Sequence, residues 1–476
     1  MKMWSGRFRQ PLDPEFEKWQ RSFPYDRRLL PFELAASRAH ANALKNAGVL
    51  SAAELSEILK GLETIGQRAE SSLESSDNRE FLNDDEAEDV HHFVEKQLAG
   101  LIGDVGYKLH TGRSRNEQIA TDLRLFVRQS IDALRNLIGE WVEAILLRAE
   151  SAGNAAMPAY THLQPAEPVL VAHWLLAYVE MFLRDASRLA DCRKRANLCP
   201  LGSGAVAGAT LIIDRQAIAA ELGFDEPTAN SIDATSDRDF AIEFVGALSL
   251  LALHLSRWAE EMILFSTPAY GFVELPEAYS TGSSAMPQKK NPDLLELVRG
   301  KAARVMGCAF TLQTLIKGLP LAYNKDLQET QEAVFDASDT VSSILPLVTG
   351  FMKTVQFNDA KMNEAARSGF MNAWAAAAYL VGRGVPSRLA HEAVGKAVAL
   401  AVERGCDLQT LPLADLRLIH ASFDAGFRSC LELSQVLALH DVPGGTAPLQ
   451  VKRALQNARE RVEKMAASFH GRDLSG

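Results

Sequence analysis

Three short polar segments carry residue types that could move a proton or hold an anion. Histidine changes charge most readily near neutral pH, and His162 lies in Thr161-His162-Leu163-Gln164-Pro165-Ala166-Glu167-Pro168. Pro165 and Pro168 hold that backbone on a fixed, non-helical path, and an imidazole presented rigidly suits general acid–base catalysis. A second segment, Gly282 to Asp293, joins a loop of small residues to a helix opened by Asn291 and Pro292. A hydroxyl there, Ser283 or its neighbour Ser284, loses its proton at reduced cost, because Lys289, Lys290 and the helix dipole stabilise the alkoxide. The same lysines can hold substrate carboxylates. In the third segment, Thr111 to Gln118, Ser114 and Glu117 form an S-x-x-E capping box. The open N–H groups of that helix start can receive an anion, with Arg113, Arg115 and Asn116 beside them. Taken singly, each segment also has an ordinary structural account: a structural histidine, a solvated basic turn, a plain helix cap.

The elements that must position these residues read as helices. Apolar residues recur every three or four positions, and period-2 alternation is nearly absent, so the fold class expected is all-α. The chain of 476 residues is long enough for about three domains. Four segments exceed an ordinary globular helix: Asn116–Glu150, Val169–Ala196, Asp237–Phe265 and Asp293–Lys317. They call for a long central bundle. The segment Asp237–Phe265 is apolar on nearly every face at its centre, more than one chain can cover, which points to an oligomer with a shared bundle. Arg68 to Asp89, rich in Ser, Asp and Glu, reads as a solvated connector. After Asp359 the helices shorten, with breaks at Gly382–Pro386 and Pro443–Pro448. The expected division is a helical N-terminal domain over 1–112, a long-helix domain over 113–362 and a small helical domain over 363–476.

Composition narrows the function. Fifty Lys and Arg against sixty Asp and Glu give a formal charge of −10, which argues against bulk attraction to nucleic acid or an anionic membrane. Five cysteines without a C-x-x-C pair suggest neither a disulfide framework nor a thiolate metal site, and fit a reducing compartment. The first ten residues do not read as a secretory signal, and no run of about 18 uncharged apolar residues appears. A cytoplasmic protein without nucleic-acid or membrane partners is expected.

The segment Gly282-Ser283, Met286, Lys289, Asn291 fits G-S-x-x-M-x-x-K-x-N and resembles the signature of the fumarase/aspartase superfamily, the lyases that release fumarate. T-G-R-S-R-N at Thr111–Asn116, T-H-L-Q-P-A at Thr161–Ala166, S-D-R-D-F at Ser236–Phe240 and Q-K-K-N-P-D at Gln288–Asp293 resemble the argininosuccinate lyase family within it. W-S-G-R-F at Trp4–Phe8 and G-G-T-A-P at Gly444–Pro448 extend the resemblance over essentially the whole chain. It implies a fumarase/aspartase-type fold whose central bundles merge into a homotetramer core, with each active site built from three subunits. It also implies a reaction without metal or organic cofactor, the reversible β-elimination of argininosuccinate to arginine and fumarate that ends arginine biosynthesis.

By the same resemblance Ser283 and His162 are the proton-transfer pair and Glu296 orients His162. Ser283 is preferred as the base, because its glycine-containing loop can close on substrate and expel water. Ser22, Ser114, Arg115, Asn116, Thr161, Lys289, Asn291, Tyr323 and Gln328 match substrate-binding positions. His91 matches a motif of the first domain, and a solvated helix start accounts for it equally well; Asp237 and Arg238 support the site. Two departures stand out. Gln331 occupies a position where the family commonly has lysine, which keeps a hydrogen bond and loses a charge. Met371–Ala375 reads M-N-A-W-A where the family often has Asn-Ala-Thr-Asp. The rival readings are a fumarate-releasing lyase for another N-substituted aspartate, a non-enzymatic helical structural protein and, more remotely, a helix-turn-helix in the last 110 or so residues.

Overall fold

The computed structural model describes residues 10–74 and 81–470, so the Trp4–Phe8 motif lies outside it. The N-terminal part contributes α1 (Leu30–Asn46), α2 (Ala52–Glu74) and α3 (Val90–Ile102). Through α2 the helix continues into the stretch read as a connector, of which residues 75–80 lie outside the described ones. Then come the rods α4 (Arg115–Ser151), α5 (Val171–Ala196), α6 (Asp239–Ser266) and α7 (Asp293–Ile316), each ending within two residues of its expected limits. A fifth rod, α8 (Thr330–Thr354), was not among the expected long segments; Pro346 inside it and the polar start Thr330-Gln331-Glu332 break the apolar pattern.

Large rings fill the bundle centre. Trp141 of α4 meets Trp258 of α6 edge-on with centroids 4.9 Å apart, and Phe182 of α5 at 5.5 Å. Phe351 of α8 packs on Trp258 at 5.6 Å. All four are fully buried, each side chain contributing roughly 1.5–3 kcal/mol or more of burial free energy. This core is continuous with that of the N-terminal helices, from Phe23 and Leu29 through Phe93 to the rods. A separate core gathers Leu380 of α9 (Ala373–Gly382), Val394 of α10 (Ser387–Glu403), Phe423 and Phe427. The last helix, α11 (Pro448–His470), leaves that cluster and lies along α4 and α5, where Arg459 pairs with Glu143 at 3.0 Å and Glu150 at 2.6 Å.

The central window of α6 has a mean hydropathy of 1.5, yet 56% of it is buried within the chain. Apolar surface nevertheless remains open on the rods. Ala303, Met306, Gly307 and Phe310 form an i, i+3, i+4, i+7 stripe exposed on α7, with Phe310 at 69% exposure.

Short strands interrupt the helices where period-2 alternation had seemed absent. β1 (Ala156–Thr161) and β2 (Gln164–Leu170) form an antiparallel hairpin in which Thr161 pairs with Gln164. Pro158, Pro165 and Pro168 lie inside these strands and disguise them in the sequence. His162 and Leu163 are left as a two-residue turn with φ of +55° and +58°, the primed geometry that matches hairpin twist. Farther on, β3 (Thr281–Gly282) pairs with β4 (Lys290–Asn291), pinching the Ser283 loop at its neck.

Direction along the rods decides which segments meet. α4 runs away from Ser114 for 37 residues, about 55 Å. α6 begins beside the start of α4, where Arg124 pairs with Asp237, and ends beside the hairpin, where the Phe265 ring lies 6.1 Å from that of Tyr160.

Candidate active site

At the end where α4 starts, a buried acid network sets the polar groups. Ser114 caps α4: its Oγ accepts the N–H of Asn116 at 3.3 Å, and Glu117 Oε1 accepts the N–H of Ser114 at 2.9 Å. Asn116 donates from Nδ2 to the carbonyl of Ala205 at 3.2 Å. Arg115 pairs with Asp89 at 3.2 Å and Glu88 at 3.3 Å; burial works against its charge, but these carboxylates outweigh it and hold its pKa up. Arg115 is thus engaged by protein carboxylates.

Residues distant in sequence come to the same end. Ser22 is buried and donates to Asp26 Oδ2 at 2.6 Å, while its N–H reaches the carbonyl of Glu88 at 2.9 Å. Gln328, also buried, donates to the carbonyl of Gln20 at 3.1 Å. Tyr323 is half-buried, and burial raises its pKa against the pull of Arg238. Arg238 is 1% exposed and donates to the carbonyl of Asp237 at 2.7 Å; burial lowers its pKa to about 10. Its Nε and Nη2 have no hydrogen-bond partner among the described residues. Gln331 is buried, its Oε1 without a hydrogen-bond partner among the described residues, whereas Trp374, in the other departure, is 69% exposed.

The opposite end carries Thr161, His162, Ser283, Lys289, Asn291 and Glu296. Thr161 and His162 are exposed on the hairpin tip, a fixed presentation on a strained turn. The hairpin base is held by the N–H of Ala156 on Asn363 Oδ1 at 3.0 Å and by the segment before α11. Ser283 is half-buried between exposed neighbours, its Oγ accepting from the N–H groups of Met286 at 3.1 Å and Ala285 at 3.3 Å. Lys289 is exposed and donates its backbone N–H to the carbonyl of Met286 at 3.0 Å. Asn291 reaches the carbonyl of Gly282 at 3.4 Å across the neck. Glu296, in the first turn of α7, is exposed and lies 3.9 Å from Arg299. Among the described residues no hydrogen bond or ion pair joins His162 to Ser283 or Glu296, and Asn116, Tyr323 and Gln328 stand at the far end of the rods.

Sequence reading passed over one buried cluster. His91 Nδ1 lies 2.8 Å from Glu33 Oε2 and 3.8 Å from Asp122 Oδ2, all three buried. Burial opposes charge on both groups, but their mutual attraction holds the His91 pKa up and draws Glu33 down to about 2, with help from Arg113. Among the described residues Asp122 has no hydrogen-bond donor on either oxygen, and burial, followed by the neighbouring Glu33, raises its pKa well above its ordinary value. These three are the described groups closest to a metal-ligand arrangement, within 4.8 Å of one another. Gln118 Nε2 at 3.0 Å and Arg113 at 3.7 Å already face Glu33 Oε1. The available signal was Gln118, Thr121 and Asp122 lying on the buried side of α4, just past the capping box.

A bundle of long rods with polar segments at both ends defines a lyase of the fumarase/aspartase class, and the lyase family profile matches residues 6–307. The argininosuccinate lyase C-terminal profile matches residues 370–438. The argininosuccinate lyase of Koribacter versatilis is 60% identical over 462 residues, covering 97% of this chain and 98% of that protein. That of Acidobacterium capsulatum is 57% identical, covering 97% and 95%. A solved structure of an EDDS lyase variant with bound fumarate superposes with a TM-score of 0.79 at 26% identity, covering 97% of this chain and 93% of that one. The chain belongs to the argininosuccinate lyase family.

Proposed function

We propose that this protein catalyses the reversible elimination of argininosuccinate to L-arginine and fumarate, the last step of arginine biosynthesis. The observation that carries the reading is 60% identity to an argininosuccinate lyase over nearly the full length of both chains. A base takes the proton from the carbon beside a succinyl carboxylate. The electron pair spreads into that carboxylate, and the doubly charged group so formed is the species hardest to stabilise. The pair then returns to form the C=C bond as the C–N bond breaks, and the guanidino nitrogen leaves with a proton from an acid. No electrons are gained or lost overall, so the step needs no oxidant or reductant, and the proposed reaction runs without metal or organic cofactor, as the family resemblance implies.

Ser283 serves as base and His162 as its proton-transfer partner, with Glu296 orienting the imidazole. Support for this assignment comes from Ser283 standing on an exposed loop pinched at its neck, and from His162 on a rigid tip. Lys289, Asn291 and the start of α7 stabilise the developing charge. Ser22, Ser114, Arg115, Asn116, Thr161, Tyr323 and Gln328 position the substrate; Arg115 acts through its ion pairs, since Glu88 and Asp89 already engage it.

The two groups of residues stand at opposite ends of the rods, of which α4 is about 55 Å long and the others about 40 Å. We therefore propose a homotetramer in which three chains contribute to each site, a reading supported by the exposed stripe on α7. The proposed domains remain 1–112, 113–362 and 363–476, with α11 docked back on the second. A cytoplasmic location is supported by five free cysteines. Incubating the purified protein with argininosuccinate and following fumarate absorbance tests the reaction; no signal at saturating protein rejects it. Turnover of a different N-substituted aspartate would favour the rival lyase, with Gln331 on the side that distinguishes leaving groups.

A further inference from the structure

Glu117 is 1% exposed, and both its oxygens are used. Oε1 accepts the N–H of Ser114 at 2.9 Å, and Oε2 accepts the N–H groups of Gly202 at 2.6 Å and Gly204 at 3.0 Å. One carboxylate thus joins the mouth of α4 to a loop 85 residues farther along the chain. The two glycine amides converge because Gly202 and Gly204 have φ of +92° and +61°, which turns the loop into a small anion-holding nest. A Cβ at position 204 would lie 2.6 Å from the carbonyl oxygen of Gly208, so the loop closes too tightly for any side chain there.

The rest of the loop is fixed on both sides. Behind it, Arg215 donates to the carbonyl of Leu201 at 3.1 Å and to Ser203 Oγ at 3.2 Å. In front, the carbonyl of Ala205 holds Asn116 at 3.2 Å, and the carbonyl of Val206 accepts from Ser231 Oγ at 2.9 Å. Ala205, Val206 and Ala207 form an exposed tip beside Asn116.

We propose that Glu117 is a positioning residue for the substrate site: its carboxylate clamps the 202–208 loop onto the first turn of α4, so that Asn116 and the loop tip form one wall against the substrate. The proposal rests on the elimination reading above, in which Asn116 binds substrate. A carboxylate accepts on both oxygens, whereas a carboxamide accepts on one and presents N–H groups on the other. Glu117→Gln can therefore serve Ser114 or the glycine amides, and not both.

The test compares wild type with Glu117→Gln, Glu117→Asp and Gly204→Ala by steady-state kinetics on argininosuccinate and by amide hydrogen exchange over residues 199–209. In Glu117→Gln, KM rises about tenfold with kcat within about threefold, and the amides of Gly202 and Gly204 exchange about tenfold faster. Glu117→Asp keeps the charge and both acceptors and recovers most of the KM and the protection. Should Glu117→Gln fail to fold, Gly204→Ala carries the test, since it strains the loop without touching α4 and reproduces the rise in KM. Kinetic constants within about twofold of wild type, with unchanged exchange, in Glu117→Gln, or in Gly204→Ala where Glu117→Gln does not fold, overturn the clamp. A wild-type protein inactive on argininosuccinate overturns the reaction instead, and the exchange comparison still decides whether Glu117 holds the loop.

Discussion

The backbone N–H of Leu170 donates to the hydroxyl of Thr446 at 2.8 Å, with both residues buried. This bond ties the last residue of β2, and so the hairpin bearing His162, to the G-G-T-A-P segment. Gly445 is required in that segment, since a Cβ there would lie 2.1 Å from the carbonyl of His440. Thr446→Val leaves a buried N–H unpaired and is expected to cost about 1–3 kcal/mol, with reduced turnover as the hairpin loosens. Thermal melting and kcat together check this; wild-type values for both would show that the hairpin is held from elsewhere.

Separation of the polar residues along the rods sets a prediction for mixed assemblies. Ser283→Ala should leave the assembly intact and remove turnover, and His162→Asn should do the same. Co-expressing the two chains should restore partial activity if one chain's hydroxyl meets another chain's imidazole. Absence of recovery in a verified mixed oligomer would place the pair within a single chain.

Asp26 gives a pH signature. It is buried, accepts from Ser22 and from the N–H of Val90 at 3.1 Å, and burial, followed by the nearby Asp89, pushes its pKa up to about 7 from 3.8. A raised carboxyl pKa favours the folded state fully below the unfolded value, and that contribution is lost as pH climbs through the folded one. Asp26→Asn keeps an acceptor for Val90 and removes the charge. It should therefore be more stable than wild type by on the order of 2 kcal/mol at pH ~8 and no more stable at pH ~4. Denaturation measured across that range decides the matter; a difference that does not change with pH would mean that Asp26 stays ionised throughout.

The stripe on α7 provides a test of assembly. Phe310→Glu puts a charge on a face made of Ala303, Met306, Gly307 and Phe310, and should lower the oligomer's mass in sedimentation at micromolar protein. If sites are shared between chains, as proposed, activity should fall in parallel with dissociation. A variant that keeps its mass would leave this stripe facing water.

How far the sequence revealed the molecule depended on the physics of each part. The four rods were legible because their apolar residues repeat over six or more turns and Pro or Gly marks their ends. α8 was passed over because Pro346 and a polar first turn blur the repeat, and tertiary packing against Trp258 overrides both. The hairpin was hidden by its own prolines. The capping box at Ser114 and Glu117 was read as a local motif and is present as one. Its second task, holding a loop 85 residues away, depends on a long-range contact that residue spacing does not encode. His91 matched a motif, but its clustering with Glu33 and Asp122 was equally invisible, since polar residues on a helix face normally signal solvent until a second helix is known to cover them.

Leu163 and His162 both occupy the left-handed backbone region, where side-chain-bearing residues each forfeit roughly 1 kcal/mol or more. An engineer seeking a hardier catalyst would find an easy gain here by placing glycine or asparagine after the imidazole. The same relaxation would slacken the fingertip that offers it, so directed evolution for heat tolerance and for speed should pull this corner in opposite directions.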